Sequence, residues 1–301
     1  MRVLISGITG FVGDHLARAL LDEHEVWGFA NEAGTPPAGC EVRVVDLLDE
    51  QALTELVAEA RPQAVVHLAG LSHVGASFDR PAAYRRVNAG GTHALCRALA
   101  AAAPRALLVV ASSAEVYGPV PASEQPIVEE RSPDPRSPYA ESKVEAEQLA
   151  LAAGGVVVRP FNIIGPGQAP TFALPAFAQQ LARIRAGRQE AVIRVGDLSP
   201  RRDFTHVGDA VAAYRLLLER GAPGVVYNLA SGRAVAMREV LERLMAIAGV
   251  TAEIRPDPAR FRPCDAPVMC GDGSRLRALG WAPARDLDHA LRDLWCHTVA
   301  G

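Results

Sequence analysis

Apolar and polar positions alternate along the first half of the chain with two different periods. Short, fully apolar runs are typical of strands buried on both faces of a sheet, and longer stretches with a three-to-four-residue repeat are typical of amphipathic helices. The strand-like runs are 3–5, 26–30, 42–45, 64–68, 107–111 and 156–158, and the helical stretches are 11–21, 49–60, 81–103 and 138–153. Because parallel strands need a crossover, which is usually a helix, this alternation predicts an α/β fold with a doubly wound parallel sheet.

The pattern changes after Pro160. Proline- and glycine-rich segments separate helical stretches at 173–186, 208–220, 237–248 and 286–298. We interpret residues 1–160 as one domain and 161–301 as a smaller C-terminal α+β lobe, with segments near 191–230 as candidates to return to the first domain. The loop 118–137, together with the adjacent Pro138, carries six prolines. We expect a stiff excursion without regular structure there, a common feature of lids.

Charge and cysteine content narrow the function classes. The 31 basic and 34 acidic residues give a formal net charge of -3 without a block of like charges, so we expect neither nucleic acid nor a membrane as partner. Five cysteines without CxxC spacing favour reduced thiols over a disulfide framework or a metal site. The apolar run after Arg2 is too short for a signal peptide, and glycines and prolines interrupt the uncharged run 161–182. We therefore expect a cytoplasmic protein with a small-molecule partner and no metal.

Gly7, Gly10 and Gly13 form a GxxGxxG pattern directly after the first strand and at the start of the first helix. Glycine there permits a tight turn and close approach of the backbone to a pyrophosphate, which the helix N-terminus also attracts. A purely structural turn is the alternative, but the strand–turn–helix context favours a dinucleotide site. The sequence thus predicts a Rossmann-type domain that binds NADP(H) or NAD(H) through Gly7, Thr9, Gly10, Phe11, Val12 and Gly13.

The ends of the next three strands supply further candidate cofactor contacts. These are Asn31 after the second strand, Asp46 and Leu47 after the third, and Leu68, Ala69 and Gly70 at the fourth. Small residues after the fourth strand let the backbone lie beside a cofactor. Asp46 is placed to accept a hydrogen bond from the adenine amino group, and a helix cap is an equally good interpretation. An acidic residue at the end of the second strand would hold the free ribose of NAD, and an arginine would hold the 2′-phosphate of NADP. Because the chain has Asn31 followed by Glu32, the sequence does not tell which of the two cofactors binds.

Tyr139 and Lys143 are one helical turn apart, so both side chains project from the same face of the 138–153 helix. An ammonium beside the phenol is expected to lower a tyrosine pKa that starts at about 10, which brings Tyr139 into range as a proton donor or acceptor. Ser113 follows the fifth strand and is placed to hydrogen-bond the same substrate oxygen. A YxxxK pair also occurs on solvated helix faces, but its combination with the glycine pattern indicates an oxidoreductase site.

The chain resembles the extended short-chain dehydrogenases that modify sugar nucleotides. The matching segments are GITGFVG at 7–13, HLAG at 67–70, VNAGGT at 87–92, SSAEVYG at 112–118, SPYAESK at 137–143, RPFNIIGPGQ at 159–168 and RRDFTHVGD at 201–209. The resemblance spans nearly the whole chain. It is greatest to the GDP-mannose 4,6-dehydratases and the GDP-4-keto-6-deoxymannose reductases, and the chain length and the stretch 172–184 resemble the reductases more.

This resemblance implies a catalytic triad of Ser113, Tyr139 and Lys143, with Asn88 contacting the cofactor and ordering the active-site helix. Relatives form dimers in which the two subunits pair through the helices that correspond to 81–103 and 138–153. The resemblance therefore implies a homodimer for this chain as well.

The resemblance further implies contacts to a sugar-nucleotide substrate. Asn162 would contact the sugar nucleotide, Arg202 its diphosphate, and Arg262 its phosphate or ribose end. Guanidinium forks suit phosphate recognition. A surface ion pair is the alternative for Arg202, and an ordinary loop charge is the alternative for Arg262.

The implied reaction is hydride transfer to the C4 carbonyl of GDP-4-keto-6-deoxy-D-mannose while Tyr139 protonates the forming alkoxide, which gives GDP-D-rhamnose or its C4 epimer. Glu115 leaves open the alternative that the protein is a GDP-mannose 4,6-dehydratase, because the related dehydratases carry a glutamate there that removes the C5 proton. Ala114 argues against it, since those enzymes usually carry a hydroxyl residue at that position. A sugar-nucleotide C4 epimerase and a catalytically inactive dinucleotide sensor are the remaining alternatives, and the intact triad counts against the sensor.

Overall fold

The structure, a computed structural model, describes residues 1–32, 34–261 and 266–300. Thirteen strands are described within these ranges. They are β1 (Arg2–Ser6), β2 (Glu25–Ala30), β3 (Glu41–Val44), β4 (Ala64–His67), β5 (Leu107–Ala111), β6 (Val156–Pro160), β7 (Asn162–Ile164), β8 (Val192–Val195), β9 (Arg201–His206), β10 (Val226–Leu229), β11 (Ala234–Ala236), β12 (Glu253–Pro256) and β13 (Val268–Met269).

Helices follow most of these strands. The α-helices are α1 (Phe11–Leu20), α2 (Glu50–Ala60), α3 (Val74–Asp79), α4 (Pro81–Tyr84), α5 (Gly91–Ala102), α6 (Pro138–Ala152), α7 (Ala173–Arg185), α8 (Val207–Arg220), α9 (Met237–Ala248), α10 (Ser274–Ala278) and α11 (Leu287–Ala300). A π-helix covers Arg85–Gly90, and short 3-10 helices cover Ala114–Tyr117, Ala122–Glu124 and Pro258–Arg260. No described helix has the length and apolar content needed to span a bilayer.

The main sheet has seven parallel strands in the order β3–β2–β1–β4–β5–β6–β10. The predicted doubly wound, Rossmann-type fold is therefore confirmed. The strand order reverses between β1 and β4, and ligands of such sheets bind in the crevice outside the carboxyl ends of the strands at that point. The glycine turn after β1 and the segment after β4 both open into this crevice.

Two apolar cores cover the faces of this sheet. On one face α1 and α8 pack against the strands, and on the other face α2 and α5 do so. All four residues of β4 are buried, as expected of a central strand covered on both sides. The two-sided burial explains why the strands appear in the sequence as continuous apolar runs rather than alternating ones.

The rest of the chain forms two small sheets and a third core. Strands β11, β9 and β13 pair in that order with β7 also on β9, and β12 pairs with β8. Helices α7, α9 and α11 supply most of the third core. The segment near 191–230 divides between the two parts, because β10 joins the main sheet beside β6 and α8 packs on α1, whereas β8 and β9 stay in the small sheets.

Two local expectations need correction. The predicted single helix 81–103 consists of α4, the π-helix Arg85–Gly90 and α5, and a π-helical turn is frequent at functional sites because it re-aims the side chains around it. The proline-rich loop 118–137 is not wholly irregular, since it includes the 3-10 helix Ala122–Glu124 and a bridge from Ile127 to Gly271. Ile127 is buried, so this loop is anchored to the smaller part of the molecule.

Candidate active site

The glycine turn brings helix α1 against the end of β1 at very short range. Gly7 has a φ of +68°, in the left-handed region, and its N–H donates to the carbonyl of Phe29 at 2.8 Å. The Gly10 N–H donates to the Gly7 carbonyl at 2.9 Å. A Cβ on Gly13 would lie 2.1 Å from that same carbonyl oxygen. Only glycine at position 13 lets the helix begin this close to the turn.

The N-terminus of α1 fits a dinucleotide pyrophosphate. Gly10 is the N-cap and supplies no side-chain cap, so the first-turn amides of the helix have no partner within the helix. Such a terminus attracts phosphate through these amides and the helix dipole. Thr9, Phe11 and Val12 are only partly buried and flank this end, as the sequence predicts for cofactor contacts.

A buried serine organises the segment after β4. Ser6 Oγ accepts hydrogen bonds from the backbone N–H groups of Leu68 and Ala69, both at 3.0 Å, and lies 2.6 Å from His67 Nδ1. Because its two acceptor positions are taken, the Ser6 hydroxyl donates to the histidine nitrogen. The hydroxyl thereby ties the glycine-turn strand to the predicted cofactor segment 68–70.

The same hydrogen-bonded chain continues to the π-helix. The Thr92 hydroxyl donates to the Asn88 carbonyl at 2.6 Å and lies 3.1 Å from His67 Nε2, which must therefore carry the hydrogen. Burial, reinforced by the charge of Lys143, lowers the pKa of His67 to about 3. His67 is a neutral imidazole that bridges β4 and helix α5.

Asn88 links the predicted cofactor segment to helix α6. Its Oδ1 accepts from the Leu71 N–H at 2.8 Å, and its Nδ2 donates to the Leu71 carbonyl at 3.0 Å and to Ser142 Oγ at 2.9 Å. A Cβ on Gly70 would lie 2.8 Å from Asn88 Oδ1, so glycine is also required there. The π-helical turn orients this buried amide. Asn88 itself was expected from the resemblance, but no sequence pattern indicated the π-helical turn.

Helix α6 presents Tyr139 and Lys143 to the carboxyl end of β5. Ser137 caps the helix by accepting from the Ala140 N–H at 3.1 Å. Tyr139 is 6% exposed and forms a hydrogen bond with the side chain of Ser113. Lys143 is 8% exposed and donates from Nζ to the Ala111 carbonyl at 2.9 Å. The structure thus brings together the three residues of the predicted triad.

The expectation that Lys143 lowers the pKa of Tyr139 is wrong. Burial raises the pKa of Tyr139 to about 12, the hydrogen bond with Ser113 opposes the rise, and the charge of Glu115 adds to it. The Tyr84 ring packs edge-on against Tyr139 with centroids 6.3 Å apart, which contributes to the burial. The Lys143 ammonium instead faces a strand-end carbonyl. Tyr139 is consequently a neutral phenol at physiological pH.

Lys143 is the only lysine in the chain, and the other 30 basic residues are arginines. Burial lowers its pKa to about 8, against an opposing effect of the Glu147 carboxylate. An arginine keeps its charge at any ordinary pH, whereas a buried lysine can lose it. Among the lysine and arginine side chains, the composition therefore singles out the one whose charge titrates near physiological pH, a signal that sequence reasoning missed.

Glu115 lies on the short 3-10 helix that follows Ser113. Its backbone N–H donates to Ser113 Oγ at 3.2 Å, and its carboxylate is close enough to Tyr139 to raise the pKa of that phenol. The side chain is half-buried. A carboxylate therefore faces the same site as the phenol and the serine.

The predicted substrate residues Asn162 and Arg202 lie on adjacent strands, with Asn162 of β7 opposite Phe204 of β9. Asn162 donates from Nδ2 to the Asp203 carbonyl at 3.1 Å. Arg202 is 8% exposed and donates from Nη1 to the carbonyls of Arg201 and Ala266 at 2.9 and 2.8 Å. Its burial differs from the surface position considered as the alternative. Arg262 lies outside the described residues.

At the third strand, Asp46 does not cap helix α2. Its Oδ1 accepts from the Leu48 N–H at 3.0 Å, whereas Asp49 caps the helix by accepting from Ala52 N–H. Asp46 and Asn31 are exposed, and Leu47 is buried against Gly91. Among the described residues, no group of three His, Cys, Asp or Glu side chains is arranged to hold a metal ion.

Comparison with known proteins gives the family. A family model described as GDP-mannose 4,6 dehydratase matches residues 4–294. The chain belongs to this family. It is 39% identical to the GDP-6-deoxy-D-mannose reductase of Pseudomonas aeruginosa over 298 residues, which are 97% of this chain and 95% of that protein.

Solved structures of similar proteins cover the same range. The structure of RMD from Pseudomonas aeruginosa complexed with NADPH matches this family member with a TM-score of 0.88 and 37% identity, over 100% of this chain and 99% of that one. A Thermus thermophilus UDP-glucose 4-epimerase in complex with NAD matches with a TM-score of 0.90 and 30% identity, over 99% of both chains. Nicotinamide dinucleotides are therefore the ligands with which these neighbours were solved.

Proposed function

We propose that this enzyme reduces the C4 keto group of GDP-4-keto-6-deoxy-D-mannose to GDP-D-rhamnose, or to its C4 epimer, with NADPH or NADH as reductant. The similarity to a GDP-6-deoxy-D-mannose reductase over nearly the full length supports the GDP-linked substrate. The arrangement of Tyr139, Ser113 and Lys143 at the carboxyl end of the sheet carries the chemistry.

The residues at the glycine turn fit the cofactor. Gly7, Gly10 and Gly13 with the first turn of α1 would hold the pyrophosphate, and Leu68–Gly70 would lie beside the rest of the dinucleotide. When bound, the reduced nicotinamide supplies the hydride. The chain itself supplies the proton and the groups that stabilise developing charge on the substrate oxygen.

Tyr139 holds the proton at its phenolic oxygen. A reduction needs a proton donor for the oxygen that gains charge, and a phenol with a pKa of about 12 carries its proton at every physiological pH. Ser113 orients that hydroxyl through their hydrogen bond, and its own hydroxyl would bond the same substrate oxygen. The Lys143 ammonium, one turn farther along α6, adds positive charge beside the developing oxyanion.

Binding of the sugar nucleotide is assigned to the strand pair β7 and β9. Asn162 lies on β7 and Arg202 on β9, and a guanidinium on this strand provides a fork for the diphosphate. Arg262 is the third candidate by resemblance. Replacement of Arg202 by lysine is informative because lysine keeps the charge and loses the fork.

Glu115 supports a second candidate function, a GDP-mannose 4,6-dehydratase. Its carboxylate acts on Tyr139 electrostatically and so faces the reacting region. The two functions differ in cofactor balance. A reductase consumes one NADPH or NADH per keto sugar nucleotide, whereas a dehydratase or a C4 epimerase converts the parent sugar nucleotide without net consumption. Purified enzyme given each substrate with and without added NADPH distinguishes them.

We also propose a cytoplasmic homodimer that pairs through α5 and α6 and the π-helix between α4 and α5. The absence of CxxC spacing supports a reducing compartment, and the family resemblance supports the pairing surface. Sedimentation at micromolar concentration tests the dimer, and a single monomeric species contradicts it.

A further inference from the structure

A buried ion pair lies behind the catalytic serine and lysine, outside the residues assigned above. Glu147 follows Lys143 by one turn of α6 and is 3% exposed. Its Oε2 accepts from Arg159 Nη2 at 2.7 Å and its Oε1 from Arg159 Nε at 2.9 Å. Arg159 comes from β6 and is 4% exposed. This bidentate geometry fixes both side chains.

The pair is connected to the strand end that carries the site. Ser112 donates from its hydroxyl to Glu147 Oε1, and its backbone N–H donates to the Val158 carbonyl at 2.7 Å. Lys143, one turn earlier on the same face of α6, bonds the carbonyl of Ala111 at 2.9 Å. Two consecutive turns of α6 therefore bond the last residue of β5, Ala111, and the residue that follows it, Ser112. The next residue is Ser113.

Resting on the proposed function, we propose that Glu147, clamped by Arg159, is a positioning residue that holds Ser113 and Lys143 in register with Tyr139 and maintains the charge of Lys143. Its carboxylate accepts hydrogen bonds from Arg159 and Ser112, and it acts through these neighbours.

The groups around the Glu147–Arg159 ion pair determine its electrostatic effect. Burial opposes the charge on Arg159, but the hydrogen bonds to Glu147 outweigh that effect and raise the pKa of Arg159, so its guanidinium keeps its charge. The Arg159 guanidinium also lies over the Tyr117 ring, 4.7 Å from its centroid, and donates to the backbone carbonyl of Glu129 at 3.3 Å.

Within the described part of the chain, few charged groups face Lys143 itself. From β4 the neutral His67 lies close enough for Lys143 to lower its pKa. On its own helix Lys143 has Tyr139 one turn before and Glu147 one turn after. Glu147 is the group that supports its positive charge, and removal of that carboxylate leaves the Arg159 charge behind. Both effects favour the neutral amine.

Because Lys143 is the only lysine, its titration can be observed without ambiguity. Protein grown with 13C-labelled lysine gives one lysine side-chain signal in an NMR spectrum, and its midpoint in cofactor-free wild-type protein is expected at a pH of about 8. In Glu147→Gln the midpoint should move to lower pH. This readout needs neither cofactor nor substrate, so it separates the inference from the proposed reaction.

Activity provides the second readout. In Glu147→Gln we expect kcat to fall by about 10²-fold with KM nearly unchanged, since displacing a catalytic group by about 1 Å has an effect of that size. The alkaline limb of the kcat profile should shift to lower pH together with the lysine midpoint. The exposed Glu141 on the same helix is the matched control, and Glu141→Gln should change neither readout.

Ser112→Ala keeps both buried charges and removes only the hydrogen bond between Glu147 and the segment that follows β5. It therefore covers the case in which Glu147→Gln fails to fold. We expect a lower kcat with the Lys143 midpoint close to that of wild type. A folded Glu147→Gln with wild-type kcat and lysine midpoint overturns the proposal. So does an unfolded Glu147→Gln together with a fully active Ser112→Ala. If wild-type protein turns over no keto sugar nucleotide, the proposed function fails, and the NMR comparison still decides the electrostatic part.

Discussion

Replacement of Gly13 by alanine tests the fit of the cofactor turn most sharply. The added Cβ would lie 2.1 Å from the Gly7 carbonyl oxygen and 3.0 Å from Ile8 Cα. Ordinary contacts of a Cβ begin at 3.4 Å, so the turn and the helix must separate by more than 1 Å. All the atoms in the way belong to the backbone, so no side-chain rotation can relieve the clash.

The separation affects binding more than folding. Overpacking of this size costs about 1–3 kcal/mol of stability. The turn and the first amides of α1 are also the groups that would hold the pyrophosphate, and about 1 Å of misplacement lowers the benefit of such preorganised contacts by about 10²-fold. We therefore expect the Kd for NADPH to rise about 100-fold, equivalent to about 2.7 kcal/mol, in a protein that still folds.

The assay is a titration of NADPH fluorescence, with thermal unfolding measured in parallel. Gly90→Ala is the matched control, because a Cβ there would meet only a Leu48 methyl group at 3.7 Å, an ordinary contact, and Gly90 has no positive φ. We expect that variant to bind NADPH like wild type. A Gly13→Ala protein with wild-type affinity refutes the reasoning, because the turn would then not be the pyrophosphate site.

Three further outcomes follow from the site. Lys143 has a folded pKa of about 8, below its unfolded value, so the unfolded state binds more protons between about pH 8 and 10, and the contribution of Lys143 to stability rises with pH over this window. The stability advantage of Lys143→Met, measured by urea unfolding, should therefore shrink from about pH 8 to 10. A stability difference that stays constant contradicts the lowered pKa. Thr92→Val leaves His67 Nε2 without its acceptor and should lower the free energy of unfolding by about 1–3 kcal/mol, whereas Thr92→Ser should be as stable as wild type. Equal Tm values for the two variants contradict the hydrogen-bonded chain. Arg202→Lys should raise KM for the sugar nucleotide about tenfold or more with little change in kcat, and an unchanged KM removes Arg202 from the diphosphate site.

The parts of the fold that depend on local pattern were predictable from the sequence. Strands buried on both faces produce apolar runs, and crossover helices produce amphipathic stretches, so six strands of the main sheet and its parallel direction followed directly. The triad was predictable because Tyr139 and Lys143 lie on one helix, and their spacing fixes a common face. The glycine pattern was predictable because the backbone geometry of the turn excludes other residues.

What the sequence could not supply depends on long-range packing. The pKa of Tyr139 rises because Tyr84 and other distant residues bury it, and no local spacing encodes that burial. The π-helix at Arg85–Gly90 has an ordinary helical composition, and its Asn88 side chain bonds Leu71 and Ser142, which are distant along the chain. The sequence indicated the region near 191–230 as a candidate to return to the first domain, but which strand returns, β10, depends on its pairing with β6.

Reduction with Tyr139 as the proton donor is tested most directly by NADPH oxidation in the presence of GDP-4-keto-6-deoxy-D-mannose, compared between wild type and Tyr139→Phe. Wild type should consume one NADPH per product formed. Tyr139→Phe should bind NADPH with unchanged affinity and show a kcat lower by about 10²–10⁴-fold, the usual contribution of a positioned acid. Turnover at the wild-type rate in the phenylalanine variant, or no consumption of NADPH by wild type, contradicts the assignment.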